Sequence, residues 1–189
     1  MRSVRSMIPA VAMMALVATS AQAQHDQHGS PPSLTTDLRA DIEQVEKKML
    51  DLARAIPEDK YGWRPGAGVR SISEVLLHVT ADNYLMPAAL GTPADPATGI
   101  KGDDYKTALA YEKRTMNKAA AIAELEKSFG HLKKALSDTP MAGLAQSVSL
   151  FGMNVTKQQA WILTTTHVHE HLGQLIAYAR SNGIAPPWS

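Results

Sequence analysis

The chain is 189 residues long, carries 19 Lys and Arg against 18 Asp and Glu, and contains no cysteine. The lack of cysteine excludes disulfides, a thiol nucleophile and a lipid-modified cysteine anchor. The balanced charge excludes the basic patch of a nucleic-acid-binding protein, and the length suits one domain with a full hydrophobic core.

The first residues have the pattern of a secretory signal peptide. Arg2 and Arg5 precede an uncharged apolar run that is too short for a membrane anchor and ends in the cleavage pattern Ala21-Gln22-Ala23. Residues 1–23 are therefore predicted to be removed, so that a periplasmic or secreted protein begins at Gln24. Removing the two arginines leaves 17 basic against 18 acidic residues, and no later apolar run is long enough to span a membrane.

Two helices are predicted in the first half of the mature chain. Residues 24–33 come before them and are polar and rich in Pro and Gly, which is typical of a disordered tail. From Leu34 to Ile56, apolar residues recur every three or four positions and form one helical stripe. A second helix begins at the capping box Ser71-Ile72-Ser73-Glu74 and ends near Leu90-Gly91, where glycine stops it.

Two more helices are predicted in the second half. The third helical region runs from about Tyr105 to Leu136 and has its apolar residues at helical spacing. The stretch from Ser147 to Phe151 is either a short strand or an irregular segment that covers the core. Thr156-Lys157-Gln158-Gln159 is a second capping box, from which the last helix runs to about Ser181, ahead of the stop at Gly183.

These four amphipathic segments predict an all-α fold. The domain covers residues 34–189 and is a four-helix bundle, either up-down-down-up or up-and-down, with a short irregular or β-like segment before the last helix. The sequence shows no repeat of the solenoid type.

The last helix carries the most informative cluster, His167-Val168-His169-Glu170-His171. On a helical wheel His167 and His171 lie on one flank of the core stripe, with the i, i+4 spacing that lets two imidazoles share one metal ion. His169 points to the opposite flank and is not expected to bind that metal. The alternative is a structural pair that hydrogen-bonds to neighbouring helices, although burying two imidazoles without a shared partner is costly.

A third ligand is expected from the second helix. His78 lies at the edge of its apolar side, with Asp82 one turn later on the same face, and facing helices of a bundle often hold a metal between inward side chains. His78 taken alone is better explained as a structural histidine at the edge of the core. Asp82 and Gln174 are the candidates for orienting the ligands or transferring protons, because the helical wheel turns Glu170 away from the core.

The same segments carry a resemblance to a known family. Trp63-Arg64-Pro65, the run from Arg70 to His78, the pattern His167-x-x-x-His171-Leu172-Gly173-Gln174-Leu175 and the ending from Gly183 to Trp188 resemble, in order and spacing, the DinB/YfiT-like superfamily of four-helix bundles. The resemblance implies a metal site made by three histidines, namely His78, His167 and His171. It also implies kinship with S-transferases and isomerases that use thiols such as bacillithiol or mycothiol, and with members of unknown activity.

Three functions are compatible with these features. They are a metal-dependent enzyme with hydrolase- or transferase-type chemistry, a metal-binding module without turnover, and a structural bundle that forms a homodimer. Three neutral histidines with an open coordination position favour the enzyme, because such a site activates water or a thiol. The expected cofactor is a divalent transition metal, zinc or nickel ahead of iron or manganese. The expected partner is a small-molecule substrate, not nucleic acid or a membrane.

Overall fold

A computed structural model of the protein describes residues 33–189. The predicted signal peptide, and all of the predicted disordered tail except Ser33, lie outside the described residues. Ser33 caps the first helix, because its hydroxyl accepts a hydrogen bond from the backbone amide of Thr36. Within residues 33–189, every helix is too short or too polar to cross a membrane.

The structure confirms the predicted all-α four-helix bundle, with a β-hairpin before the last helix. The α-helices are α1 (Leu34–Ala55), α2 (Ile72–Ala89), α3 (Tyr105–Glu112), α4 (Lys118–Ser137) and α5 (Lys157–Ser181). The antiparallel strands are β1 (Ser147–Leu150) and β2 (Met153–Thr156). Short 3-10 turns occur at Glu58–Lys60, Pro96–Thr98 and Met141–Gly143.

The four long helices form a ring in which the order along the chain is not the order in space. Helix α1 packs against α4 and α5, and α2 packs against the same two helices. The first two helices therefore lie diagonally across the bundle, and α2 has α5 as a direct neighbour. Large side chains fill the centre, among them Ile42, Met49, Leu76, Phe129 and Trp161, all of which are fully buried.

Helix α2 is buried on nearly every side. One face joins the main core, while the opposite face lies in a second apolar cluster formed with α3 and the segment before it. Its polar side chains are consequently removed from water as well, and His78 is only 5% exposed. A buried imidazole or carboxyl needs a partner, because leaving it unpaired away from water costs free energy.

One sequence prediction was wrong in this region. The single helix expected from Tyr105 to Leu136 is divided in two, because Asn117 caps α4 through a hydrogen bond from the amide of Ala120. The break lets α3 leave the line of α4 and pack against α2. As a result Glu112, the last residue of α3, reaches the side chains of α2.

Both predicted capping boxes are present. The side chain of Ser71 accepts from the amide of Glu74, and Glu74 accepts from the amide of Ser71. Thr156 and Gln159 make the same reciprocal pair at the start of α5. Helix starts satisfied in this way have fixed entry points, so α2 and α5 hold their side chains in defined positions.

Gly102 is expected to be a sensitive position in the segment that covers the end of α2. A Cβ atom added there would lie 2.3 Å from the carbonyl carbon of Ala88, so Gly102→Ala should lower the free energy of unfolding by about 1–3 kcal/mol. Gly62→Ala is the matched control, because the added Cβ would meet nothing within 4 Å. Urea unfolding measures both variants, and equal stability of the two would contradict this packing.

Candidate metal centre

Three histidines from two neighbouring helices converge on one point. His78 comes from α2, and His167 and His171 come from successive turns of α5. The Nε2 atom of His167 lies 3.1 Å from Nε2 of His78 and 3.0 Å from Nε2 of His171. One nitrogen from each ring lies within 4.8 Å of the other two. The structure therefore brings together the three residues that the sequence singled out.

The cluster is buried but opens to a cleft. His78 and His171 are 5% and 7% exposed, while the side chain of His167 is 24% exposed. The cleft has a volume of about 510 Å³. Besides the histidines, it is lined by Arg70, Asp82, Tyr105, Phe151 and Glu170.

The hydrogen bonds of two of the rings define which nitrogen faces the centre. His78 Nδ1 lies 2.6 Å from Oε1 of Glu112, and because an ionised carboxylate only accepts, Nδ1 carries the hydrogen. His171 Nδ1 lies 2.8 Å from Oε1 of Gln174, whose amide nitrogen donates to the hydroxyl of Tyr178 at 2.8 Å. Both rings therefore turn the lone pair of Nε2 inward.

This arrangement fits a bound divalent metal. His167 Nε2 has at most one hydrogen, so it can donate to only one of the two lone pairs that it faces. Asp82 adds a carboxyl group to the same place, and its buried Oδ1 atom has no hydrogen-bond partner. These lone pairs and carboxyl oxygens are all hydrogen-bond acceptors, and they repel one another because they are close together and away from water. A cation bound between them would remove that repulsion.

Two of the imidazoles, those of His167 and His171, are also held in the protonation state that metals require. Burial, followed by the neighbouring rings of His171 and His78, lowers the pKa of His167 to about 3. Burial likewise lowers the pKa of His171, against an opposing hydrogen bond with Gln174. Neutral imidazole is the form that binds a metal. These two rings are already neutral at neutral pH, so a metal ion can bind without first displacing protons from them.

Asp82 and Gln174 both lie beside the cluster. Asp82 Oδ2 is 3.3 Å from Nε2 of His167 and 3.6 Å from Nε2 of His78. Burial raises the pKa of Asp82 to about 6, although His78 opposes the shift. Gln174 contacts the outer nitrogen of His171, as described above. Glu170 is turned away from the core and lies on the wall of the cleft.

Two residues that hold the site were not predicted from the sequence. Glu112 accepts from His78 and also binds Arg70, with Arg70 Nε 3.0 Å from Oε2 and Nη2 3.3 Å from Oε1. Burial alone would raise the pKa of Glu112, but the hydrogen bonds from His78 and Arg70 outweigh it and lower that pKa. Arg70 begins the motif that runs to His78, but the sequence indicated no role for it. Glu112 lies within a predicted helix, and no neighbouring residue in the sequence indicated a role in the site.

His169 lies apart from the cluster. Its Nε2 atom is 2.7 Å from Oδ2 of Asp41 on α1, and the His169 side chain is 48% exposed. The group of three histidines that the described residues bring together does not include it.

Asp82→Asn is expected to stabilise the metal-free protein at alkaline pH. The pKa of the carboxyl is about 6 in the folded chain against a usual 3.8, so the folded state binds this proton more tightly. The stability that the proton contributes is present below pH 4 and is lost as the pH rises through 6. At pH 8 the variant should gain about 3 kcal/mol in the free energy of unfolding, and at pH 4 almost nothing.

Chelator-treated protein and urea unfolding at the two pH values measure this effect. Asp59→Asn is the control, since the Asp59 side chain is 73% exposed. An equal gain for Asp82→Asn at both pH values would show that the carboxyl is not buried in its charged form.

The chain is similar to known proteins both in sequence, through a family model, and in fold. The family model of the DinB superfamily matches residues 41–175. No curated protein matches the chain.

Three solved structures with a similar fold have low sequence identity to this chain. A conserved protein from Enterococcus faecalis aligns with a TM-score of 0.66 and 13% identity, over 79% of this chain and 97% of that one. The DinB-like protein YjoA from Bacillus subtilis aligns with a TM-score of 0.59 and 17% identity, over 78% and 92%. YfiT from Bacillus subtilis, described as "a probable metal-dependent hydrolase with an unusual four-helix bundle topology", has a TM-score of 0.59 and 14% identity, over 84% and 95%. At these identities the similarity shows the fold alone.

Proposed function

The chain belongs to the DinB superfamily, and from that premise we propose that it is a divalent-metal-dependent enzyme with hydrolase- or transferase-type chemistry on a small molecule. One observation carries the proposal. Three imidazoles face inward at the base of an open cleft of about 510 Å³, and one nitrogen from each ring lies within 4.8 Å of the other two. Three histidines with an accessible remaining position are typical of catalytic metal sites, whereas structural sites are closed by four protein ligands. The description of YfiT supports the hydrolase reading.

The residues around the cluster have distinct roles in this proposal. His78, His167 and His171 hold the ion, zinc or nickel ahead of iron or manganese. A divalent metal there would lower the pKa of a water or thiol and polarise a substrate carbonyl or phosphoryl group. Glu112 and Gln174 keep two of the rings in the ligating tautomer through the contacts at 2.6 and 2.8 Å.

Asp82 is the proposed proton-transfer residue. Its carboxyl lies at the edge of the cluster and lines the cleft, so it reaches both the ligands and a bound substrate. A divalent ion held by the histidines would favour the carboxylate form of Asp82, which suits a general base that accepts a proton from a metal-bound water or thiol.

The position of Asp82 also supports a second candidate, a metal-binding module without turnover. Oδ2 is near enough to His167 and His78 to act as a fourth ligand after a small shift. A fourth protein ligand would close the site, and the protein would then store or sense a metal.

One experiment separates these functions. Wild type, Asp82→Asn and His167→Ala are loaded with zinc or nickel, assayed for bound metal, and then tested for hydrolysis of p-nitrophenyl esters and for transfer of a small thiol. The enzyme proposal expects Asp82→Asn to keep its metal and to lose turnover by about 10²–10⁴-fold. Loss of metal in Asp82→Asn, or full occupancy of wild type without turnover, favours the metal-binding module. A wild type that takes up no metal favours the structural homodimer.

Export is a separate part of the proposal. It is supported by the leader pattern of the first 23 residues, with its basic start and Ala21-Gln22-Ala23 end. Expression of the full chain in a bacterial host should yield periplasmic or secreted protein that begins at Gln24. N-terminal sequencing tests this, and an intact Met1 on cytosolic protein would contradict it.

A further inference from the structure

A small apolar cavity opens beside the three histidines. It has a volume of about 150 Å³ and is lined by Asp82, Met86, Phe151, Leu163, Thr164 and His167; we call it the side pocket. Three of these side chains are wholly apolar. The hydroxyl of Thr164 already donates to the backbone carbonyl of Ala160 at 2.8 Å. Asp82 and His167 also line the main cleft, so the two spaces meet at the cluster.

The positions of the lining residues follow from helix geometry. Met86 lies one turn after Asp82 on α2, and Leu163 lies one turn before His167 on α5. Residues four apart share a helix face, so the apolar pair continues the same surface that carries the cluster. The side pocket is thus built by the two helices that supply the histidines.

The third wall comes from the hairpin and has an unusual backbone. Phe151 has φ of 52° and precedes Gly152 with φ of 79°, which together make the two-residue turn between β1 and β2. A bulky aromatic residue rarely adopts positive φ, and Asn or Gly is the common choice there. Phe151 is also 52% exposed and packs edge-on against Tyr105 at 5.6 Å. Such strain is typical of functional positions.

We propose that the side pocket binds the apolar part of the substrate, a single aromatic ring or a short alkyl chain, while the reacting polar group lies at the three histidines. This inference rests on the proposed metal-dependent function. A dry apolar cavity of about 150 Å³ holds one benzene ring, which sets the size of the group. Phe151 and Leu163 are then the residues that determine specificity, and neither takes part in the chemistry.

The test uses zinc-loaded protein and two hydroxamates that share a metal-binding head. Benzohydroxamate carries a ring where acetohydroxamate carries a methyl group. Each buried methylene strengthens binding by about fourfold, so wild type should bind the benzo compound at least about tenfold more tightly by calorimetry. Equal dissociation constants for the two compounds would overturn the inference.

Two pairs of variants place the preference in the side pocket. Leu163→Trp fills it and should remove the preference, whereas Ile162→Trp should keep it, because Ile162 is equally exposed on α5 but does not line the pocket. Phe151→Ala removes a wall and should weaken the preference several-fold. Met153→Ala is its control, at 53% exposure on the same hairpin. A preference that survives Leu163→Trp unchanged would overturn the inference.

A metal-free measurement separates this inference from the proposed function. Toluene added to ¹³C-methyl-labelled, chelator-treated protein should shift the methyl signals of Met86 and Leu163 and leave that of Ile162 in place. If toluene binds but neither hydroxamate does, the metal-dependent function is contradicted and the apolar pocket stands. If toluene produces no shift at Met86 or Leu163, the pocket is not a binding site and the inference fails.

Discussion

His171→Ala is expected to lower the affinity for zinc by at least about 100-fold. Removing a group that only orients a ligand costs about 10–100-fold, and removing a ligand itself should cost at least the upper end of that range. The Nε2 atom of His171 lies 3.0 Å from that of His167, so two imidazoles alone would remain to hold the ion. Competition with a chromophoric zinc chelator at pH 7.5 measures the change.

His169→Ala is the matched control for this prediction. It removes an imidazole two positions away on the same helix, but one that contacts Asp41 on α1 and not the cluster. Its zinc affinity should stay within about twofold of wild type. If His169→Ala lost the metal and His171→Ala kept it, the site would lie on the other face of α5.

Glu112→Gln is expected to weaken zinc binding by about 10–100-fold without removing any ligand. The carboxylate fixes the tautomer of His78 from 2.6 Å and makes the imidazole a stronger electron donor. The neutral amide keeps the shape of the side chain but loses the charge and leaves Arg70 without its ion pair. Glu112→Ala should in addition lower the free energy of unfolding by about 3 kcal/mol, because Nδ1 of His78 is then buried without an acceptor and Arg70 loses its ion pair.

The same chelator competition and urea unfolding measure these changes, and Glu124→Gln is the control. Glu124 is also a partly buried carboxylate with a lowered pKa, but hydrogen bonds from Lys127 and Tyr111 cause the shift. It should leave zinc affinity unchanged. If Glu112→Gln bound zinc as tightly as wild type, the carboxylate would serve the fold alone.

The sequence predicted those parts of the fold and site that depend on local patterns. The capping boxes at Ser71 and Thr156 are local hydrogen-bond motifs, and both helix starts lie where they indicated. The i, i+4 spacing of His167 and His171 also depends on the helical period alone. Placing His78 with this pair required the bundle class and the family resemblance as well, since the two segments are far apart in the chain.

The features that the sequence did not predict arise from tertiary packing. The break at Asn117 is a single cap in a region where the apolar pattern continues on both sides, so periodicity favoured one long helix. The role of Glu112 depends on that break, because only a separate α3 brings the carboxylate to His78. The diagonal placement of α1 and α2 likewise depends on how the apolar faces of all four long helices are buried together. The apolar pattern of a single helix does not specify it.

The distance along the chain between the two halves of the candidate metal centre has a consequence for a protein without cysteine. His78 and His167 are 89 residues apart in sequence, and an ion bound by both would act as a cross-link that closes this loop. A covalent link across a loop of that length restricts the unfolded chain by about 4–5 kcal/mol in the chain-entropy model. A bound metal would thus link α2 and α5 as a disulfide links the segments of many secreted domains, and a chelator could remove this link.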